Sequence, residues 1–156
     1  MLKDLFERQG WMVRRLGAHH GLDAYADGDW VLSAAHGDGN WESPGSLRHS
    51  EVRAHCSEIL AEMAEYRAEH GLPGAMLLLE GFRALWDPLL VERMHVRFEV
   101  CVDKGTALQR RVDTREGMAV VPYFESHIWP SHLAYLYGAV ARTPHVAFIN
   151  PAGLGG

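Results

Sequence analysis

The apolar positions switch repeatedly between the three-to-four spacing of a helix and the short unbroken runs of a buried strand. Leu2, Leu5 and Phe6 share one side of a short helix over Lys3–Gln9, and Trp11–Leu16 follows as a short strand. Residues 17–46 break the pattern: they are rich in Gly, His and Asp, with Trp30, Val31 and Leu32 as an apolar island. A loop that long inside a compact domain points to function or motion. Periodicity returns with Ser50 as the predicted N-cap of a helix over Glu51–His70, whose stripe is Val52, Ile59, Leu60, Met63 and Tyr66. Gly71 and Pro73 end it.

Ala75–Leu79 is uniformly apolar, as expected of a parallel strand covered on both faces. Phe82–Arg93 reads as two helical turns broken around Pro88, and His95–Val102 as a strand with imperfect alternation. Helices are predicted over Thr106–Arg115 and Trp129–Ala141, with Pro130 suited to a first turn. Val146–Ile149 is a last short strand, and Asn150–Gly156 a Gly-rich tail. Strands alternating with helices imply an α/β fold: a reduced three-layer α/β/α domain with a mostly parallel sheet of about four strands.

Length and composition add bounds. At 156 residues the chain is read as one domain, and its 47% apolar and 22% charged content is ordinary for a globular protein. A net charge of −5 with scattered Arg residues argues against a long polyanionic partner such as nucleic acid. No apolar run is long enough to cross a membrane, and no secretory signal is visible, so a cytoplasmic location is expected. Cys56 and Cys101 are then two free thiols.

Four stretches carry candidate chemistry. LLLEG at residues 77–81 puts Glu80 at the C-terminal end of a parallel strand, where open α/β sheets bind ligands. QRRVDTR at 109–115 gathers Arg110, Arg111 and Arg115, whose planar, permanently charged forks suit phosphate. PYFESHIWP at 122–130 is aromatic-rich, and NWESP at 40–44 places Glu42 beside Trp41 in a turn.

Together these stretches resemble the P-loop nucleoside kinases, most closely the nicotinamide riboside kinases and more loosely the uridine kinases. The resemblance covers about two-thirds of the chain and is densest after Ala75. It implies that Glu80 lies near a magnesium ion and the transferred phosphoryl group, and that residues 109–128 act as a lid. Arg111 and Arg115 would hold phosphate. Tyr123 would stack on the ligand ring, a contact that adds about 0.5–1.5 kcal/mol beyond area burial. His127 would join it as a pocket residue. Glu42 would accept hydrogen bonds from sugar hydroxyls, with Trp41 as a pocket wall.

Two departures qualify these expectations. The family's phosphate cradle, G-x-x-x-x-G-K-[ST], does not occur in the sequence, whose first residues match the helix that should follow it. Where the family has an Asp-Asp pair after the strand ending at Leu16, this chain has Gly-Ala-His-His. Either Asp23 and Asp27 take over after a loop shift, or His19 and His20 are the working acid–base groups. No metal-ligand spacing is present, and any magnesium would come with a phosphorylated ligand. The expected protein binds or acts on a nucleoside-like or phosphorylated small molecule without ATP phosphotransfer. A non-catalytic, pseudokinase-like regulatory subunit and a residual small-molecule kinase are the alternatives. Without the family's central strand, open sheet edges would favour a homodimer.

Overall fold

The structure is a computed structural model, and it describes residues 2–16, 42, 47–81, 83–113 and 120–150. The chain forms two compact units, one from residues 1–41 and 45–84, the other from 42–44 and 85–156. Among the described residues no helix is long and apolar enough to cross a membrane.

In the first unit, helix α1 (Leu2–Glu7) leads into strand β1 (Met12–Leu16). The 22-residue helix α2 (His49–His70) then precedes β2 (Ala75–Leu79), which pairs with β1 in parallel from Met12↔Ala75 to Leu16↔Leu79. Parallel neighbours need such a crossover, because a hairpin cannot join them. Two close approaches set the geometry. Trp11 lies over Gly74 so tightly that a Cβ there would come within 2.5 Å of the indole, which leaves room for glycine alone. Gly71 caps α2 in the left-handed region (φ 63°) and donates its N–H to the Arg67 carbonyl.

Three details of α2 differ from the sequence expectation. The helix begins at His49, one residue before Ser50, and has no side-chain cap. Its buried face is Val52, Cys56 and Met63, while Leu60 and Tyr66 are exposed at 39% and 46%. Positions 52, 56 and 63 lie four and seven residues apart and hold one line on the helix; 60 and 66 rotate off it. Strand β2 is only half-buried along its length, less covered than its apolar run suggests.

In the second unit, Asp87 caps the short helix α3 (Pro88–Val91) by accepting the Leu89 N–H at 3.0 Å, with Pro88 at the first position. Strand β3 (Arg97–Val100) is joined to β4 (Val146–Ile149) by a long crossover: α4 (Lys104–Arg111), α5 (Val121–Tyr123), a π-helical turn at Phe124–Ile128 and α6 (Trp129–Gly138). The strands again pair in parallel, from Arg97↔Val146 to Val100↔Ile149. Leu85, Val91, Tyr135, Ala139 and Val140 form the core. Tyr135 fastens it: its ring stacks with Trp86 at 5.8 Å, and its hydroxyl accepts the Leu85 N–H at 3.2 Å. The sequence led us to expect four parallel strands in one sheet; the described residues form two parallel pairs, β1–β2 and β3–β4.

Strand β3 is turned against its chemistry. Phe98 and Val100 are exposed at 47% and 56%, while Arg97 and Glu99 face inward and are half-buried. Arg97 is satisfied in part by the carbonyls of Val91 (2.8 Å) and Pro144 (3.2 Å). Burial pushes the Glu99 carboxyl up from 4.5 to about 7. Burial, and then the Glu99 charge, likewise push the Tyr135 hydroxyl up.

The sign follows from linkage. A folded state that holds the Glu99 proton more tightly than the unfolded chain is most stable at low pH and loses that advantage as pH rises from 4.5 to about 7. Glu99→Gln is therefore expected to stabilise the protein above neutrality by about 1–2 kcal/mol, allowing for the solvent that still reaches the group. Urea unfolding on either side of this range checks it: the variant should lose the wild-type decline.

Candidate functional site

In the first unit, the parallel register brings the C-terminal ends of β1 and β2 side by side. The ladder runs one residue further, with the Glu80 N–H donating to the Leu16 carbonyl at 3.0 Å. The Glu80 side chain is held by Arg15 in a hydrogen-bonded ion pair, and each is a little over 40% exposed (42% and 44%). That hydrogen bond, reinforced by the Glu80 charge, holds Arg15 still more firmly in its charged form. Arg15 joins the candidate residues only through the fold: it pairs with Leu78, so its side chain shares the face of residue 80, two positions beyond Leu78.

The second unit builds the richer arrangement. Asp103 caps α4 by accepting the Thr106 N–H at 2.9 Å and the Thr106 hydroxyl at 2.6 Å, and the hydroxyl bond, more than the backbone one, holds its carboxyl below the ordinary range. Lys104 and Arg111 stand two helical turns apart on this helix and so share a side. Each meets an acid. Lys104 forms a hydrogen-bonded ion pair with Glu125. Arg111 lies 4.0 Å from the Glu42 carboxylate, which is 9% exposed, against 32% for Arg111. That distance is an ion pair but not a hydrogen bond.

The aromatic stretch is set by a π-helical turn, in which the Trp129 N–H reaches back to the Phe124 carbonyl. Such turns recur at functional sites. Phe124 and Ile128 are buried and anchor it. Tyr123 and His127, also four apart, stack on the other side at 4.9 Å and 14°. Trp129 is committed to packing: it stacks on Phe124 at 6.0 Å and leans on His132 at 5.1 Å, and burial pushes the His132 imidazole down.

The structure thus brings Glu42 to Arg111 and Tyr123 to His127. Lys104, which the sequence reading passed over, pairs with Glu125, the acid of the aromatic stretch, and ties α4 to the aromatic turn. Glu80 belongs to the first unit, paired with Arg15. His19, His20, Asp23, Trp41 and Arg115 lie outside the described residues. Among those described, no group of three or more His, Cys, Asp or Glu side chains could hold a metal ion.

The chain is similar to a uridine kinase of Deinococcus deserti, with 31% identity over 116 residues, 62% of this chain and 56% of the relative. It therefore spans about half the length of the curated relative it matches. The relationship is uridine kinase-like. No protein-family model matches the chain.

The half-exposed Arg15–Glu80 pair should matter little to stability. Glu80→Gln is expected to change the unfolding free energy by less than about 1 kcal/mol in urea titration. A loss well above that would make the pair structural and remove Glu80 from the candidate site.

Proposed function

We propose that this chain carries the nucleoside-recognition part of a uridine kinase-like protein and binds a nucleoside or its phosphorylated form. The observation that carries the reading is the Glu42–Arg111 pair: two residues far apart in sequence, each singled out for ligand binding, meet at 4.0 Å. Glu42 is an acceptor for sugar hydroxyls, and Arg111 a donor to the same hydroxyls or to a phosphate. Tyr123, stacked with His127, is the aromatic surface for the ligand ring. The resemblance to nucleoside kinases gives Trp41 and Arg115 the same recognition role, and gives any acid–base step to Glu80, His19, His20 or Asp23. The accompanying fold is a P-loop-kinase-like α/β layer structure.

Recognition without ATP phosphotransfer is the reading for these 156 residues, none of which encodes a phosphate cradle. A pseudokinase-like regulatory role fits the same pocket. The second reading, small-molecule kinase activity of a protein containing this chain, gains from the similarity to a uridine kinase. Magnesium arriving with a phosphorylated ligand would find an oxygen donor at Glu80, and would have to draw it away from Arg15.

Calorimetric titration with uridine, nicotinamide riboside, uridine monophosphate and ATP–magnesium separates the readings. A nucleoside or its monophosphate is expected to bind, and Glu42→Gln to weaken it about tenfold or more, as for a lost charged hydrogen bond. No binding of any nucleoside or monophosphate at millimolar concentration overturns the proposal. Binding of ATP–magnesium alone moves the balance to the kinase.

A homodimer belongs to the same proposal, supported by exposed Phe98 and by Phe148, 64% exposed. Light scattering should give twice the chain mass; a monomer at all accessible concentrations refutes it.

A further inference from the structure

The resemblance implies a magnesium ion beside Glu80, and the structure puts a different cation there. The β1–β2 ladder holds Arg15 and Glu80 at the same end of the two strands: Arg15 pairs with Leu78, and the Glu80 N–H donates to the Leu16 carbonyl at 3.0 Å. Both side chains therefore stand on one face. The contact runs from Nη2 of Arg15 to Oε1 of Glu80, so it engages one of the two carboxylate oxygens. What the guanidinium changes at this carboxylate is above all its charge, and that charge is permanent.

Alone, this donor set does not fit magnesium. The ion demands near-ideal octahedral oxygen geometry, dehydrates reluctantly and is held by carboxylates together with phosphates. Among the described residues no group of three or more His, Cys, Asp or Glu side chains could hold a metal ion, and the charge of Glu80 is already balanced by Arg15. A divalent ion approaching Glu80 would be repelled by the guanidinium with twice the energy that a monovalent one feels.

We propose that Arg15 is the resident cation of Glu80 and excludes divalent metal from this strand end. Arg15 is then the residue that sets the metal specificity of the Glu80 site, and a neutral side chain at position 15 opens it. The importance of that site rests on the reading of Glu80 as a candidate functional residue; the exclusion itself rests on the ion pair and needs no nucleoside.

The probe is manganese alone, standing in for magnesium, because its paramagnetism broadens nearby amide signals and so registers weak sites. The titration is followed on the Leu16, Glu80 and Gly81 amides at low ionic strength, where an exposed ion pair is least screened. In the wild type these signals are expected to stay sharp. In Arg15→Gln they should broaden, with an apparent manganese affinity about tenfold higher or more. Arg15→Lys keeps the charge and should keep the wild-type response, which a merely structural role for Arg15 would not require. Adding Glu80→Gln to Arg15→Gln should abolish the gain. Equal broadening in the wild type and Arg15→Gln, or none in either, overturns the proposal. So does an Arg15→Lys variant that behaves like Arg15→Gln, or a gain that survives the loss of the Glu80 carboxylate. Failure of the nucleoside reading shows in the calorimetric titration and leaves this result to stand or fall by itself.

Discussion

Parallel strands cannot be joined by a tight turn, and that constraint shapes both units of this protein. Between β1 and β2 the chain spends a long helix on the return. Between β3 and β4 it spends α4, the aromatic turn and α6. The second crossover carries Lys104, Arg111, Tyr123, Glu125 and His127. The candidate side chains of this unit are thus carried by the connection that makes the sheet parallel. The core beneath them supplies the rigidity: Phe124 and Ile128 pin the turn from below, and Tyr135 ties α6 to the backbone at Leu85.

The electrostatics of the two units follow one rule at three places. A permanent cation on a strand or helix meets a carboxylate from elsewhere in its unit: Arg15 with Glu80, Lys104 with Glu125, Arg111 with Glu42. The first two are hydrogen-bonded and exposed, and pairs of that kind contribute little net stability. The third is more enclosed, and at 4.0 Å it is too long for a hydrogen bond, which sets Glu42 and Arg111 apart from the other two pairs.

Much of the fold was legible in the sequence because it rests on local pattern. The apolar runs Ala75–Leu79 and Val146–Ile149 mark β2 and β4 to the residue, and Gly71 marks the end of α2. The pairing of strands was not legible, because it depends on contacts distant in sequence. Leu60 and Tyr66 were assigned to the core on hydropathy, yet the helix line that Val52, Cys56 and Met63 share leaves them outside. Of the candidate site, Glu42, Arg111, Tyr123 and His127 were expected from residue type and resemblance, and the structure adds that Glu42 meets Arg111 and Tyr123 meets His127. Arg15 and Lys104 were missed for a common reason: each meets a partner that only the folded backbone supplies. The π-helical turn has no distinctive composition, so nothing in PYFESHIWP announced the extra residue per turn.

The inverted strand β3 has a consequence for how the protein behaves in bulk. Natural sheets keep solvent-facing edges from self-associating by placing charges on them. Here the charges of β3, Arg97 and Glu99, are turned inward, while Val96, Phe98 and Val100 face out. The stretch is short, β-prone and without a gatekeeper on its outer face, the profile of an aggregation-prone segment. Concentrated samples would then be limited by β3 rather than by overall charge, and a single lysine at position 98 or 100 would be a more effective solubilising change than any number placed on the helices.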